Sequence, residues 1–402
     1  MDAGLRELLD LVFRWVHVIA AIMWIGNSLL FNWLDRNLLP PKESRVGAHG
    51  EIWLLHSGGF YLMEKTQLEG TELPRPLHWF KWQAYTTWLS GAALLVVVYY
   101  LSGGALLVDP AVSGIGVGMA TALSIGLIGG GWLVYELLWR SPLARSWRAA
   151  GLVSFTLLMA AAYIATQLLS GRAAFLHVGA MLGTLMAGNV AMKIMPAQRQ
   201  LVAAVAEGKG ADPALAGQAK LRSIHNNYLT FPVIVLMLSS HFPGIYGHRL
   251  NWLLLGILLL AGAGVRHLLN IRFTYPRWIP ALTATAAVAV AALYFIGARP
   301  TGTGHTSPRA GLDGGAVSFA EARSVIDRRC AACHSAHPSD PSFGIAPGGV
   351  AFDTPEQIRA RADRIHARAV ETHTMPPGNM TRITPGEREV LRRWLQQGAP
   401  LR

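Results

Sequence analysis

The chain has 402 residues, of which 52% are hydrophobic and only 14% charged, and its mean hydropathy is +0.33. That balance excludes a soluble globular protein of average composition and points to a membrane protein. The formal net charge of +12 would suit a polyanionic partner, but the basic residues concentrate in short loops between apolar runs. There they set topology, so no nucleic acid is implied.

The first ten residues mix Asp2, Arg6, Glu7 and Asp10, unlike the basic n-region of a cleavable signal, so the first apolar run is expected to stay in the membrane. A hydrocarbon core of roughly 30 Å needs about twenty apolar residues per helix. Windows of that kind fall at 11–33, 82–102, 115–138, 150–170, 173–192, 226–243, 250–269 and 279–297. They predict an all-α polytopic bundle of about eight transmembrane helices over residues 1–297, embedded in lipid, with both termini on one side.

The loops choose the side. Segment 103–112 has no Lys or Arg, and 171–172 and 244–249 carry one Arg each. Segment 34–81 carries Arg36, Lys42, Arg45, Lys65, Arg75 and Lys81, and loop 139–149 carries Arg140, Arg145 and Arg148. Loop 193–222 adds Lys193, Arg199, Lys209, Lys220 and Arg222, and the turn after the seventh window holds Arg266, Arg272 and Arg277. The positive-inside rule places these basic loops in the cytoplasm, so the N-terminus and the C-terminal tail are expected on the periplasmic side of a bacterial inner membrane.

Polar residues inside apolar windows are costly and usually functional. His17 and His177 each lie about seven residues, or roughly 10 Å at 1.5 Å per residue, below the periplasmic surface, where the pair could ligate a b-type haem between two helices or make unrelated interhelical hydrogen bonds. Near the cytoplasmic ends of the spans gather His56, Lys65, His78, Asn189, Lys193, Arg222, His225, Asn226 and Asn227. They could form a pocket for an anion, or they could be basic side chains snorkelling to headgroups beside Asn residues that stitch helices together. Glu136 and His267 sit near the same surface without an assigned role.

Residues 298–316, rich in Gly and Pro, read as a flexible linker. Residues 317–402 follow as a small all-α domain. Ser318 with Glu321, Thr354 with Pro355 and Gln357, and Thr384 with Pro385 and Glu387 open its helices. Within it, Cys330-Ala331-Ala332-Cys333-His334 contains the only two cysteines of the chain. The C-x-x-C-H spacing lets two thioethers anchor one haem c while His334 reaches its iron. A zinc site would need further ligands, and a redox dithiol would sit in a βαβ context that the chain lacks. The layout is that of a class I cytochrome c. Of two methionines competing for the distal iron position, Met375, held by Pro376-Pro377, is favoured over Met380. Haem c attachment outside the cytoplasm agrees with the topology from the loops.

Several strings in the span region are specific. These are His56-Ser57-Gly58-Gly59-Phe60-Tyr61 with Lys65, and His78-Trp79-Phe80-Lys81-Trp82 followed by Tyr85, Thr87, Trp88, Leu89, Ser90 and Gly91. The others are His177 to Asn189-Val190, and Lys220 with Arg222-Ser223-Ile224-His225-Asn226-Asn227-Tyr228-Leu229-Thr230. On these the chain resembles, over nearly its whole length, the membrane-bound bacterial urate oxidases, in which an eight-span domain is fused to a C-terminal cytochrome c. The resemblance implies oxidation of urate to 5-hydroxyisourate in purine catabolism, with electrons passed to cytochrome c and a respiratory acceptor rather than directly to oxygen.

Urate is a planar anion, suited to His, Lys, Arg and Asn donors and to aromatic walls such as Trp79, Trp82 and Tyr61. The expectation is that His225 or His56 acts as general base, that Arg222 or Lys65 holds the anion, and that Asn226, Asn227 and Trp79 complete the substrate site. A cytoplasmic pocket and a periplasmic haem c would be separated by most of the membrane, which a haem b on His17 and His177 would bridge. Two other readings use the same features: a membrane-anchored cytochrome c electron carrier without its own substrate site, and a transporter with a haem sensor.

Overall fold

The computed structural model describes residues 3–42, 47–66, 76–297 except 103, 105, 111, 210 and 211, and 316–401 except 341, 342 and 344. The expected linker 298–316 lies outside these residues apart from its last position. Helix α1 (Ala3–Asn37) is followed by strands β1 (Ala48–His56) and β2 (Gly59–Thr66). Helix α2 (Lys81–Leu95) runs on through a π turn at Val96–Tyr100, and α3 (Val117–Arg140) and α4 (Trp147–Leu168) follow. Helix α5 (Gly171–Asn189) passes through a second π turn, Val190–Ile194, into α6 (Met195–Ala206). Pro196, which has no N–H to give to the preceding turn, stands just beyond that wide turn. Helices α7 (Pro213–Leu238), α8 (Pro243–Tyr246), α9 (Asn251–Ile271) and α10 (Trp278–Gly297) complete this part.

Among the described residues, six helices are long and apolar enough to cross a membrane, those beginning at Gly4, Val117, Trp147, Gly171, Asn251 and Trp278. Helices also stand at the second and sixth expected spans, but they fall short of that measure. In α2, Lys81, Gln83, Thr86, Thr87 and Ser90 dilute the apolar run. In α7, Lys220, Arg222, His225, Asn226 and Asn227 do so, and the helix ends at Leu238 rather than at residue 243. Helix α5 is the centre, packed by α3, α4 and α7, with Phe175, His177, Val178 and Leu182 among its buried side chains. Pairs α1 with α2 and α9 with α10 flank it, and the large apolar side chains that α1 and α10 leave exposed suit a lipid environment.

The all-α expectation needs one correction. Strands β1 and β2 form an antiparallel hairpin in which His56 pairs with Gly59 across the two-residue turn Ser57–Gly58. Both turn residues have positive φ, 50° and 77°, the geometry that matches strand twist in a tight hairpin. Glycine supplies it freely at position 58, and Ser57 adopts it under that constraint.

Residues 316–401 form a separate small core around Val325, Ile326, Ile358, Leu391 and the fully buried Trp394. Its helices are α11 (Phe319–Arg329), α12 (Pro355–Arg359), α13 (Ala362–Ile365) and α14 (Pro385–Gln396). The three expected helix starts carry complete capping boxes, Ser318 with Glu321, Thr354 with Gln357 and Thr384 with Glu387. This part touches the bundle beside α8. A methyl group placed on Gly247 would come within 2.8 Å of Thr374 Cγ2 and 3.0 Å of the Thr372 carbonyl, and Arg6 lies over the Phe343 ring. It therefore sits at the end of the bundle that has the loops poor in basic residues.

Candidate functional site

At the opposite end, polar groups converge where α3 finishes, α5 enters its π turn and α7 turns inward. Arg222, His225 and Asn226 stand three and four residues apart, so one face of α7 presents all three. Asn189 closes α5, and Lys193 projects from the π turn, a widening often found at functional positions. Helix α3 contributes Tyr135 and Glu136. The Glu136 carboxylate is ion-paired to Arg140, to Lys193 and to Arg222, the last at 2.9 Å. Three cations on one carboxylate leave the cluster with an excess of positive charge.

The hydrogen bonds assign roles. Asn189 Nδ2 donates to Tyr135 Oη at 3.0 Å and to Asn226 Oδ1 at 2.9 Å, and Asn226 Nδ2 donates to the Met186 carbonyl at 3.0 Å. With its oxygen already accepting from Asn189, the Tyr135 hydroxyl is free to donate to His225 Nδ1, 2.7 Å away. The Arg222 guanidinium lies 4.8 Å from the Tyr135 ring centroid, and Trp139 stacks obliquely on His225 at 4.1 Å. Two buried atoms in this network have no partner, Arg222 Nη1 and Asn189 Oδ1. Leaving a buried donor or acceptor unpaired costs about 1–3 kcal/mol each.

The structure separates the other expected substrate residues from this cluster. Asn227, one position further round α7, accepts from Arg266 Nε at 3.0 Å and from Asn270 Nδ2 at 2.7 Å and so faces α9. His56 and Lys65 are on the exposed hairpin, where Lys65 pairs with Asp35 at 2.6 Å. Trp79 packs with Trp24, Tyr85, Val190 and Met195 beside the π turn. Tyr135 escaped the sequence reading because an aromatic in an apolar window reads as packing. The signal that would have found it is its neighbour Glu136, a lone carboxylate inside such a window.

His17 and His177 do not meet. His17 Nδ1 bonds the Thr87 carbonyl at 2.8 Å, and its ring lies so near Gly91 that a Cβ there would be 2.9 Å from Cε1. His177 bonds the Ala173 carbonyl through Nδ1 at 2.8 Å and faces Tyr99 and Tyr100. His17 thus meets α2 around Thr87 and Gly91, and His177 meets the π turn that follows it, at Tyr99 and Tyr100; Gly91 and Tyr99 are eight residues apart, about 12 Å along a helix.

In the tail, Cys330 caps α11 and Cys333 and His334 follow in the next turn. His334 Nδ1 is held by the Val350 carbonyl at 2.8 Å, which fixes the ring and leaves Nε2 for a ligand. Burial pushes the Cys330 thiol up to about 12 and the Cys333 thiol, beside Asp340, up to about 11. Among the described residues no group of three or more His, Cys, Asp or Glu is arranged to hold a metal ion. The Met375 segment is anchored by its N–H to the Arg368 carbonyl and by Arg388 Nη1 to its own carbonyl, both at 3.0 Å. Paired thiols, a ring nitrogen held open and an anchored thioether are the donor set that a covalent haem requires.

Residues 3–297 match the family model described as Urate oxidase N-terminal. No curated protein matches the chain, and no solved structure does.

Proposed function

Because the chain belongs to the Urate oxidase N-terminal family through residues 3–297, we propose that it is a membrane oxidoreductase that converts urate to 5-hydroxyisourate at the Tyr135–Arg222–His225 cluster. The observation that carries this reading is the buried pair of unpartnered atoms, Arg222 Nη1 and Asn189 Oδ1. One edge of the urate anion offers a carbonyl oxygen to the first and an N–H to the second. The excess positive charge around Glu136 favours an anion over a neutral purine. At 4 Å and an effective dielectric of 20, one unit charge is worth about 4 kcal/mol.

Overall, urate and one water give 5-hydroxyisourate, two protons and two electrons, with the water oxygen bonded at C5. Tyr135 and His225 provide the proton route. The Tyr135 oxygen takes a proton from the substrate side as its own passes to His225 Nδ1, the partner it already contacts. Arg222 holds the anion, and Glu136 holds Arg222. A haem c would be held by Cys330 and Cys333, with His334 and Met375 as the residues that would hold its iron, and would supply one-electron acceptance on the way to a respiratory acceptor. The multi-pass chain then lies in a bacterial inner membrane as an eight-helix bundle, its tail on the periplasmic side and its basic loops in the cytoplasm.

Anaerobic addition of urate to the purified full-length protein tests this. Appearance of the reduced haem spectrum is expected, and loss of that response in Arg222→Met is expected with it. An oxidised spectrum that persists in the wild-type protein would leave only an electron carrier anchored in the membrane.

A further inference from the structure

A second basic site lies on the other side of α7. Between the end of α1, the middle of α7 and the end of α9 is a cavity of about 320 Å³ lined by Arg36, Arg266 and Arg272 together with Leu29, Leu30 and Phe273. Arg266 is 4% exposed. Its Nε is taken by Asn227, while its Nη2 is buried without a partner. Arg272 lies against the Phe273 ring. Among the described residues, no carboxylate is paired with any of these three guanidinium groups. Three cations around one cavity, one of them buried with a free donor, repel one another unless an anion sits between them.

We propose that this cavity binds the phosphodiester headgroup of an anionic phospholipid. Arginine forks recognise phosphate oxygens in pairs, and basic pockets between helices on the cytoplasmic side are suited to such headgroups. The shape of the lining selects an amphiphile over a small anion. Leu29 and the exposed Leu30 lead from the arginines onto the outward face of α1, where Ile22 and Met23 are also exposed, a track for an acyl chain in the hydrocarbon layer. The helix ends at Asn37 and Ile271 put the arginines where a headgroup would lie. The site is distinct from the Glu136 cluster, and the inference does not depend on what that cluster oxidises.

The test uses the detergent-purified full chain, stripped of lipid and titrated with phosphatidylglycerol or phosphatidylcholine, with bound lipid counted by native mass spectrometry. Phosphatidylglycerol should bind at least tenfold more tightly than phosphatidylcholine, and Arg36→Gln and Arg272→Gln should each weaken it by about tenfold, the size of one charge-assisted hydrogen bond. These two residues stand at the cavity without the buried bond that Arg266 makes, so the variants test binding even if Arg266→Gln does not fold. Equal retention of the two lipids would overturn the proposal, as would unchanged selectivity in both variants. Displacement of the lipid by equimolar inorganic phosphate or urate would overturn it too, in favour of a small-anion site.

Discussion

Replacing Glu136 by Gln removes the one carboxylate that three cations share, and the structure says which of them suffers. Arg140 keeps 65% of its side chain in contact with its surroundings outside the protein and Lys193 keeps 19%, whereas the Arg222 side chain keeps 7%. The first two can turn away, but Arg222 is left as a buried, uncompensated charge. Breaking a buried pair in this way costs about 3–5 kcal/mol. An unfolding entropy of about 2.1 cal/mol/K per residue over the roughly 295 residues of the bundle gives about 1.6 °C per kcal/mol, so the melting of the helical circular dichroism signal should fall by roughly 5–8 °C. Arg222→Met added to Glu136→Gln removes the stranded charge as well and should return most of that loss, since neutral side chains of similar volume replace buried pairs at little cost. A single variant that melts within about 1.6 °C of the wild type, the shift that 1 kcal/mol produces at this size, would refute the reasoning. A double variant that melts no higher than the single would refute it as well.

Gly91→Ala should destabilise the bundle by about 1–3 kcal/mol, as overpacking does, because the new Cβ would stand 2.9 Å from His17 Cε1. Adding His17→Ala should relieve it, and a thermal melt of the three variants checks both statements. Met375→Ala should abolish the thioether–iron absorption band of the oxidised haem and lower its midpoint potential in a redox titration, while Met380→Ala should leave both unchanged. Asp353 accepts hydrogen bonds from Ser335 Oγ at 2.6 Å and Ala336 N at 2.8 Å, which hold its carboxyl below the usual range. A carboxyl held low in the folded state stabilises it above the ordinary value of about 3.9 and loses that contribution as pH falls through the lower folded value. Acid titration of tail helicity in the full chain should therefore show a smaller loss below about pH 4 in Asp353→Asn than in the wild type.

Much of this was legible because it follows from local rules. The capping boxes at Ser318, Thr354 and Thr384 are three-residue patterns, and the C-x-x-C-H string and the apolar windows are equally local. The hairpin was not read, because Ala48–Thr66 alternates weakly and the decisive feature, two successive positive φ angles at Ser57–Gly58, belongs to the backbone. The polar cluster was legible as a list of residue types but not as a site. Asn226 and Asn227 are neighbours in sequence, yet the rotation of about 100° per residue along a helix sends one toward Glu136 and the other toward Arg266. Lys65 and His56 share the charge and chemistry of the cluster, but the hairpin holds them outside it.

Helix α5 ties the two chemically equipped ends together. One end delivers Asn189 and Lys193 to the Glu136 cluster. At the other, Gly171 seats the Tyr246 carbonyl, and Gly247, next along the chain, meets the Thr372–Thr374 segment that precedes Met375. Nineteen residues separate the ends of α5, about 27 Å at 1.5 Å per residue, a gap that one electron-transfer step does not cross at catalytic rates. On the proposed function a carrier between them would lie beside α5, where the tail-side half holds the buried His177 with the buried Tyr99 and the half-buried Tyr100, both tyrosines at a π turn. His17 meets α2 at Thr87 and Gly91 instead. The haem content per chain therefore bears on where urate binds. On the proposed function, a second haem in addition to the haem c that Cys330 and Cys333 would hold keeps the substrate at Arg222, whereas a single c-type haem would move the oxidation to the Gly247 end and leave the Glu136 cluster as a structural joint.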